Sequence, residues 1–150
     1  MTAPREQVLA TIKARLAGIA GVASVYRMRT AAIPVESYPA LVLLDGDQST
    51  EERETLTRQY RMLATVVALV GAPDDDALGP AVSALYVEIV RAVIPAGDAT
   101  LGLGFVSHVR EAAMEGPAAG EVQGKGPTAI FTVDFEIDFA TAPEDPGAAP

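Results

Sequence analysis

A run of regular alternation near the C-terminal end of the chain constrains the fold most. Between residues 128 and 140, large apolar side chains occupy every second position, and Asp134, Glu136 and Asp138 occupy three of the positions between them. Because successive side chains of a strand point to opposite sides, this pattern predicts a β-strand with an apolar face and an acidic face. Such strands are typical of antiparallel sheets that pack one face on the core and leave the other in solvent. The apolar positions are Phe131, Val133, Phe135, Ile137 and Phe139.

Periodicity and breaking residues predict the other elements. Apolar residues three and four apart predict one helix from Pro4 and a second after the aspartates at 74–76, with Pro80 in its first turn. Neighbouring strands are joined by connections too short for helical crossovers, which favours antiparallel pairing. We therefore predict an α+β fold of order α-β-β-β-α-β-β: a mostly antiparallel sheet with two helices packed on one face and a long C-terminal β-hairpin. The predicted strands cover residues 23–30, 40–44, 57–70, 101–114 and 128–140.

Three segments are predicted to lie outside regular structure. Residues 45–54 carry five acidic side chains balanced by Arg53 alone, so we expect a solvated loop between two strands. Residues 116–127 are rich in glycine and proline and are expected to form a loose tip of the last hairpin. Residues 143–150 hold too few large apolar side chains to pack, which predicts a single domain over residues 1–142 followed by a disordered tail.

The charge of the chain and its lack of cysteine exclude several classes of protein. With 20 acidic and 11 basic residues the formal net charge is −9, and this sign repels a phosphate backbone, so sequence-specific DNA binding is not expected. Without cysteine there are no disulfides, thiolate zinc sites or cysteine nucleophiles. The first 20 residues include Arg5, Glu6, Lys13 and Arg15 in place of a continuous apolar run, so we expect neither a signal peptide nor a membrane anchor.

The residues that could carry catalysis are few and poorly placed for it. The single histidine, His108, is the only candidate base for a serine nucleophile, and the adjacent Ser107 would point to the opposite face of a strand. The pattern of Gly102 and Gly104 lacks the third glycine and the following helix of a dinucleotide-binding turn. We therefore expect no enzymatic activity, no catalytic residues and no cofactor.

The acidic row on the last predicted strand admits two interpretations. Carboxylate oxygens are the ligands that Mg²⁺ and Ca²⁺ prefer, so Asp134, Glu136 and Asp138 could bind a divalent cation. Half-solvated antiparallel strands ordinarily show the same alternation, with Arg110 or another cation on the neighbouring strand. The second interpretation is favoured and no metal is predicted. Residues 45–54 could likewise bind calcium, but they lack the spacing and the glycine of an EF-hand loop.

The length of the last strand indicates assembly with other subunits. Thirteen residues from 128 to 140 extend about 43 Å at ~3.3 Å per residue. A compact globule of this chain length has a diameter of roughly 38 Å. The last hairpin should therefore bend or protrude, and a protruding hairpin exposes strand edges and apolar side chains that another copy or another protein usually covers.

The order of elements carries a resemblance that extends over roughly residues 5–141. After an opening helix and a strand come the stretch SYPALV at 37–42, an acidic connection, and a long strand that ends in ATVVAL at 64–69. A second helix and a final hairpin closing on FTVDF at 131–135 follow. In this pattern the chain resembles the tail terminator family of long-tailed bacteriophages and gene transfer agents, also described as tail-completion or minor tail protein U-like proteins.

The resemblance implies a homohexameric ring at the head-proximal end of a tail, in a virion or gene transfer agent particle assembled in the host cytoplasm. Such a ring ends polymerisation of the tail tube protein and joins it to head-completion or connector proteins. DNA would pass through as non-specific cargo, and acidic walls would leave it free to slide. Residues 116–127 could be an arm that orders on a neighbour. Candidates for an acidic lumen or solvent face are Asp134, Glu136 and Asp138, and candidates for an assembly loop are Glu51, Glu52, Arg53 and Glu54.

Two other functions remain open from the sequence. A small-ligand-binding or regulatory α+β module has the same layout of helices on a sheet, which hosts many unrelated functions. A metal-dependent hydrolase could use the row from Asp134 to Asp138, but one strand face alone does not supply a defined ligand geometry.

Overall fold

The predicted α+β fold is confirmed. The computed structural model describes residues 2–53 and 56–150, with the backbone alone at positions 52 and 53. Within these residues the order of elements is α-β-β-β-α-β-β, as predicted, with a short 3-10 helix, Val35–Ser37, between the first two strands. The bounds are α1 Pro4–Ala17, β1 Ser24–Arg27, β2 Ala40–Arg53, β3 Arg58–Gly71, α2 Asp75–Val93, β4 Val106–Val122 and β5 Gly126–Thr141.

The five strands form one sheet in the order β1-β2-β3-β5-β4. β1 and β2 are parallel, and every other neighbouring pair is antiparallel. The centre of the sheet is the pairing of β3 with β5, which runs from Arg58↔Thr141 to Gly71↔Thr128. Two long hairpins, β2–β3 and β4–β5, therefore lie side by side with their turns at opposite ends of the sheet.

Both helices pack on the same face of this sheet. The five alternating apolar residues of β5 are buried there together with Met62, Ala64, Val66 and Ala68 of β3. The helices contribute their own apolar stripes at three- and four-residue spacing, which is the pattern of an amphipathic helix lying on a core. Removing a fully buried ring from such a core, as in Phe135→Ala, is expected to cost about 3–5 kcal/mol. The helix residues in the core are Val8, Leu9, Ile12 and Leu16 of α1 and Leu78, Val82, Leu85, Ile89 and Val93 of α2.

α2 begins with a capped first turn. The carboxylate of Asp74 accepts a hydrogen bond of 2.8 Å from the backbone N–H of Ala77, and Asp75 and Asp76 add negative charge where the helix dipole favours it. Pro80 is the sixth residue of this helix. The prediction that Pro80 lies in the first turn is wrong. Asp74 caps the helix, so the first turn is complete before Pro80. Among the described residues no helix is long and apolar enough to span a membrane.

Two segments predicted to be irregular are strands instead. Residues 45–53 continue β2, and residues 116–122 continue β4 until Val122 pairs with Gly126 across a tight turn. Backbone pairing with the neighbouring strand holds both segments. Apolar and polar side chains do not alternate along them, because these parts of the hairpins are exposed to solvent. A register shift between Glu115 and Ala118 accommodates the proline at 117, which has no N–H to donate to the ladder.

The C-terminal residues fold back in turns after β5. Ala142 forms an isolated bridge with Asp145, and its N–H donates to the carbonyl of Ala148 at 2.9 Å. Every residue from 142 to 150 remains at least partly exposed. The domain boundary at 142 and the disorder of residues 143–150 stay predictions.

Candidate assembly surface

The face of the sheet opposite the two helices, here called the open face, is the candidate functional surface. It carries every second residue of β3 and β5. The cross-strand pairs that these residues form change from apolar to charged along the strands. Leu69 lies beside Ile130 near one end, Thr65 beside Asp134 in the middle, and Arg61 beside Asp138 near the other end. We call the first the apolar end, formed by Tyr38, Leu69, Ala118 and Ile130, and the last the charged end, formed by Glu51, Arg61, Arg110, Glu136 and Asp138.

The charged end is a network of ion pairs across three strands. Arg61 on β3 donates from Nε to Oδ1 of Asp138 at 2.9 Å. Arg110 on β4 donates from Nη1 to Oδ2 of the same carboxylate at 3.0 Å and from Nε to Oε2 of Glu136 at 2.7 Å. Glu51 on β2 extends the network, with its Oε1 3.8 Å from Nε of Arg61. Arg110 thus lies where the sequence places a neutralising cation, and Arg61 is a second one.

Electrostatics favour the ionised forms of Asp138, Arg61 and Arg110. Partial burial by itself would raise the pKa of Asp138, but hydrogen bonds from Arg61 and Arg110 outweigh it and hold that pKa below its ordinary value of 3.8. The hydrogen bond to Asp138 is also the main reason that the pKa values of Arg61 and Arg110 are raised. Two cations facing three carboxylates leave little free positive charge, so this end is a poor binding site for phosphate groups.

Asp134 belongs to a separate contact. The three carboxylates of β5 lie on one face, as their spacing predicts, yet the arginines reach only Glu136 and Asp138. Asp134 accepts a hydrogen bond of 2.6 Å from the hydroxyl of Thr65, its cross-strand neighbour. The strand register therefore divides the predicted acidic row into two parts. Glu136 and Asp138 pair with arginines, and Asp134 accepts a hydrogen bond from a hydroxyl group.

The predicted assembly loop is only partly described. Glu51 lies on the distal half of β2 with an exposed side chain, and its contact with Arg61 joins it to the acidic row of β5. The backbone of positions 52 and 53 continues the strand, while the side chains of Glu52 and Arg53 lie outside the described residues. Glu54 also lies outside them. The prediction of a loop over residues 45–53 is corrected to a strand, and the role in assembly stays a prediction.

The apolar end contains a shallow groove that the sequence did not predict. Its volume is about 300 Å³, and it is lined by Tyr38, Leu69, Ala118 and Ile130 together with small residues of β4 and β5. Ile130 is 43% exposed although β5 is an inner strand of the sheet, with β3 on one side and β4 on the other. Lys125 in the β4–β5 turn bonds to Glu36 of the 3-10 helix at 2.6 Å, so the hairpin turn contacts the connection that precedes β2.

The described residues give little basis for chemistry on this surface. They contain no group of three or more histidine, cysteine or acidic residues placed to hold a metal ion. His108 is exposed and lies beside Asp138 in the strand register. Ser107 donates instead to the backbone carbonyl of Asp138 at 3.2 Å, so the two adjacent side chains do not form a nucleophile and base.

No protein-family model matches the chain, and no curated protein matches it either. Among solved structures, a chain of the "virion of native gene transfer agent (GTA) particle" is similar in fold, with a TM-score of 0.53 and 17% sequence identity. The likeness covers 92% of this chain and 95% of that chain. At this level of identity the similarity shows a shared fold over nearly the whole length of both chains.

Proposed function

We propose that this protein is a structural component of a bacteriophage-like or gene transfer agent particle. The observation that carries the proposal is the shared fold with a chain of a gene transfer agent virion, which extends over 92% of this chain and 95% of that one. A likeness that extends over nearly the whole of both chains is more informative than a shared supersecondary motif. A long sheet with one face free of helices is also suited to contacts with other subunits.

Within such a particle we propose the role of tail terminator. The chain would form a ring, expected to be a homohexamer, that caps the tail tube, ends polymerisation of the tube protein and meets the head-completion or connector proteins. The element order supports this role through its resemblance to the tail terminator family. The proposal assigns no catalytic step and no cofactor to the protein.

The proposed lumen would present Asp134, Glu136 and Asp138 to passing DNA. The pairing of Arg61 and Arg110 with carboxylates supports this placement, since it removes two free cations that would otherwise hold phosphate groups. With a formal net charge of −9 per chain, a ring would repel the DNA from its walls. Glu51 would then lie on the distal half of β2, where it would meet an adjoining ring, and Glu52, Arg53 and Glu54 are proposed for the same contact.

Tail length is the measurement that tests this role. Particles produced without this protein should carry tubes of uncontrolled length or tails that fail to join heads, visible by negative-stain electron microscopy. Supplying the protein from a second copy of its gene should restore uniform tails. Tails of normal length, joined to heads in the absence of the protein, would contradict the proposal.

A further inference from the structure

The groove at the apolar end has the size and the lining to accept an aliphatic side chain. It is open on the face that carries no helix, and Leu69, Ala118 and Ile130 give it apolar walls beside the ring of Tyr38. Its volume of about 300 Å³ exceeds that of one leucine side chain. Burying a large aliphatic residue there would also cover Ile130, which is 43% exposed in the single chain.

The chain itself carries an exposed leucine at the other end of the sheet. Leu56 lies two residues before β3 begins and is 81% exposed, more than any other large apolar residue described. Arg58 and Leu69 are eleven residues apart on the same strand, a separation of about 36 Å at ~3.3 Å per residue. Leu56 therefore cannot reach the groove of its own chain, and only a second copy can bring the two together.

Charge favours the same pairing. Arg58 is two residues from Leu56, and its guanidinium donates a long hydrogen bond of 3.5 Å to the hydroxyl of Tyr60. That hydrogen bond is the main reason that the pKa of Arg58 is raised, and the negative charge of Glu144 adds to it. Beside the groove, Glu115 pairs in register with Thr132, one step along the open face from Ile130, and its side chain is exposed. A cation next to the leucine and a carboxylate next to the groove are complementary, which helps two chains of net negative charge to approach.

We propose that the groove at the apolar end binds Leu56 of a second copy of this chain, with Arg58 of that copy near Glu115. The inference rests on the proposed ring and names the contact that closes it. Because the leucine and the groove are different surfaces at opposite ends of the sheet, the contact is heterologous. Each copy offers a leucine to one neighbour and a groove to the other, which is the arrangement that generates rings when the rotation closes.

Disulfide trapping tests this contact in the full-length protein, which has no cysteine of its own. A Leu56→Cys variant carrying a mass tag is mixed with an untagged Ile130→Cys variant and oxidised. The matched control replaces Ile130→Cys by Val87→Cys, a residue of α2 that is 38% exposed and thus similarly accessible. We expect the tagged–untagged dimer to form at least about tenfold faster with Ile130→Cys than with Val87→Cys, which corresponds to ~1.4 kcal/mol of preference for the groove.

Equal rates for the two mixtures would overturn the contact. Reversal of one charge supplies a second measurement with the same pair of cysteines. Glu115→Arg should slow the specific crosslink, and adding Arg58→Glu to the tagged partner should restore it; failure of the double reversal to restore it would overturn the charge pairing. The crosslinking rate and the tail length test separate proposals. If the crosslink forms only at the background rate while particles made without the protein have tails of uncontrolled length, the contact is wrong and the proposed function stands. If the crosslink is specific while particles made without the protein have normal tails, the contact stands and the proposed function is wrong.

Discussion

The two ends of the open face satisfy their side chains in opposite ways. At the charged end, Arg61 and Arg110 saturate the carboxylates of Glu136 and Asp138, so these polar groups have partners within the chain. At the apolar end, Ile130 lies uncovered beside a groove of about 300 Å³. The ion pairs of the charged end therefore stabilise the folded subunit, whereas the uncovered groove of the apolar end serves the proposed association. Substitutions at the two ends should therefore change different measured quantities.

The largest effect is expected from Ile130→Asp on association. A carboxylate in the groove would be buried beside Leu69 and Tyr38 without a partner when another copy docks, and association should weaken by about 100-fold or more. The free energy of unfolding of the single chain should change by less than about 1 kcal/mol, because Ile130 is exposed and the strand tolerates polar residues there. Association is measured by sedimentation velocity and unfolding by urea titration.

Ile130→Val is the matched control, since it keeps a β-branched apolar side chain at the same position. It should associate almost as the unchanged protein does. If Ile130→Asp lowered the free energy of unfolding by several kcal/mol and left association unchanged, the two ends would not differ in the way described above.

The second largest effect is expected from Asp138→Ala on stability. This change removes the carboxylate that accepts hydrogen bonds from both Arg61 and Arg110. The two guanidinium groups lose their shared partner at a site where the Asp138 side chain is only 22% exposed, so the free energy of unfolding should fall by about 1–3 kcal/mol. Denaturant unfolding measures the loss.

The reference for that measurement is Glu88→Ala, which removes an exposed carboxylate that lies 3.4 Å from Arg91 within α2. Exposed pairs of this kind contribute about 0–1 kcal/mol. Losses of equal size for Asp138→Ala and Glu88→Ala would show that the network at the charged end adds no more than an ordinary surface ion pair.

Acid should weaken the charged end before it affects the apolar end. The pKa of Asp138 in the folded chain lies below its ordinary value of 3.8, so the folded state favours the ionised carboxylate. Its contribution to stability is complete above that ordinary value and is lost as the pH falls through the lower folded value. The free energy of unfolding should therefore decrease on acidification below about pH 4 more steeply for the unchanged protein than for Asp138→Asn.

The Asn variant removes only one titrating group, so the difference between the two curves isolates Asp138 from other carboxylates whose pKa values are also lowered. One of these is Asp98, held at a pKa of about 2 by hydrogen bonds from Thr100 and Arg15. Parallel curves for the two proteins would show that Arg61 and Arg110 do not stabilise the ionised form of Asp138.

The charged end could be predicted from the sequence far better than the apolar end. Alternation from Phe131 to Phe139 fixes which residues of β5 face the core, and the same alternation places Asp134, Glu136 and Asp138 together on the other face. Arg110 could be named as a partner because it lies on the adjoining strand of the hairpin. The contact of Arg61 depends on the pairing of β3 with β5, a long-range register that periodicity alone does not supply.

The distal parts of β2 and β4 and the groove at the apolar end were not predicted, for physical reasons. The distal parts of β2 and β4 are held by backbone hydrogen bonds, and their polar or small side chains, such as those at 45–53 and 116–122, lack the alternation that marks a half-buried strand. At the apolar end, Val67 and Leu69 give β3 apolar residues on both faces, a pattern that indicates burial on both sides. In the single chain the second side is only partly covered, and apolar residues on an uncovered face are the sequence signal of a partner.

The smallest effect is expected from Thr65→Val, which tests where the charged end stops. The change removes the hydroxyl that donates to Asp134 at 2.6 Å while keeping the shape and the strand preference of the side chain. The free energy of unfolding should fall by about 1 kcal/mol or less, because the Asp134 carboxylate can turn to solvent. Combined with Asp138→Ala, the two losses should add within about 0.5 kcal/mol, since the two contacts share no partner. A larger departure from additivity would mean that the network of Arg61 and Arg110 extends to Asp134 and that the acidic row of β5 acts as one unit.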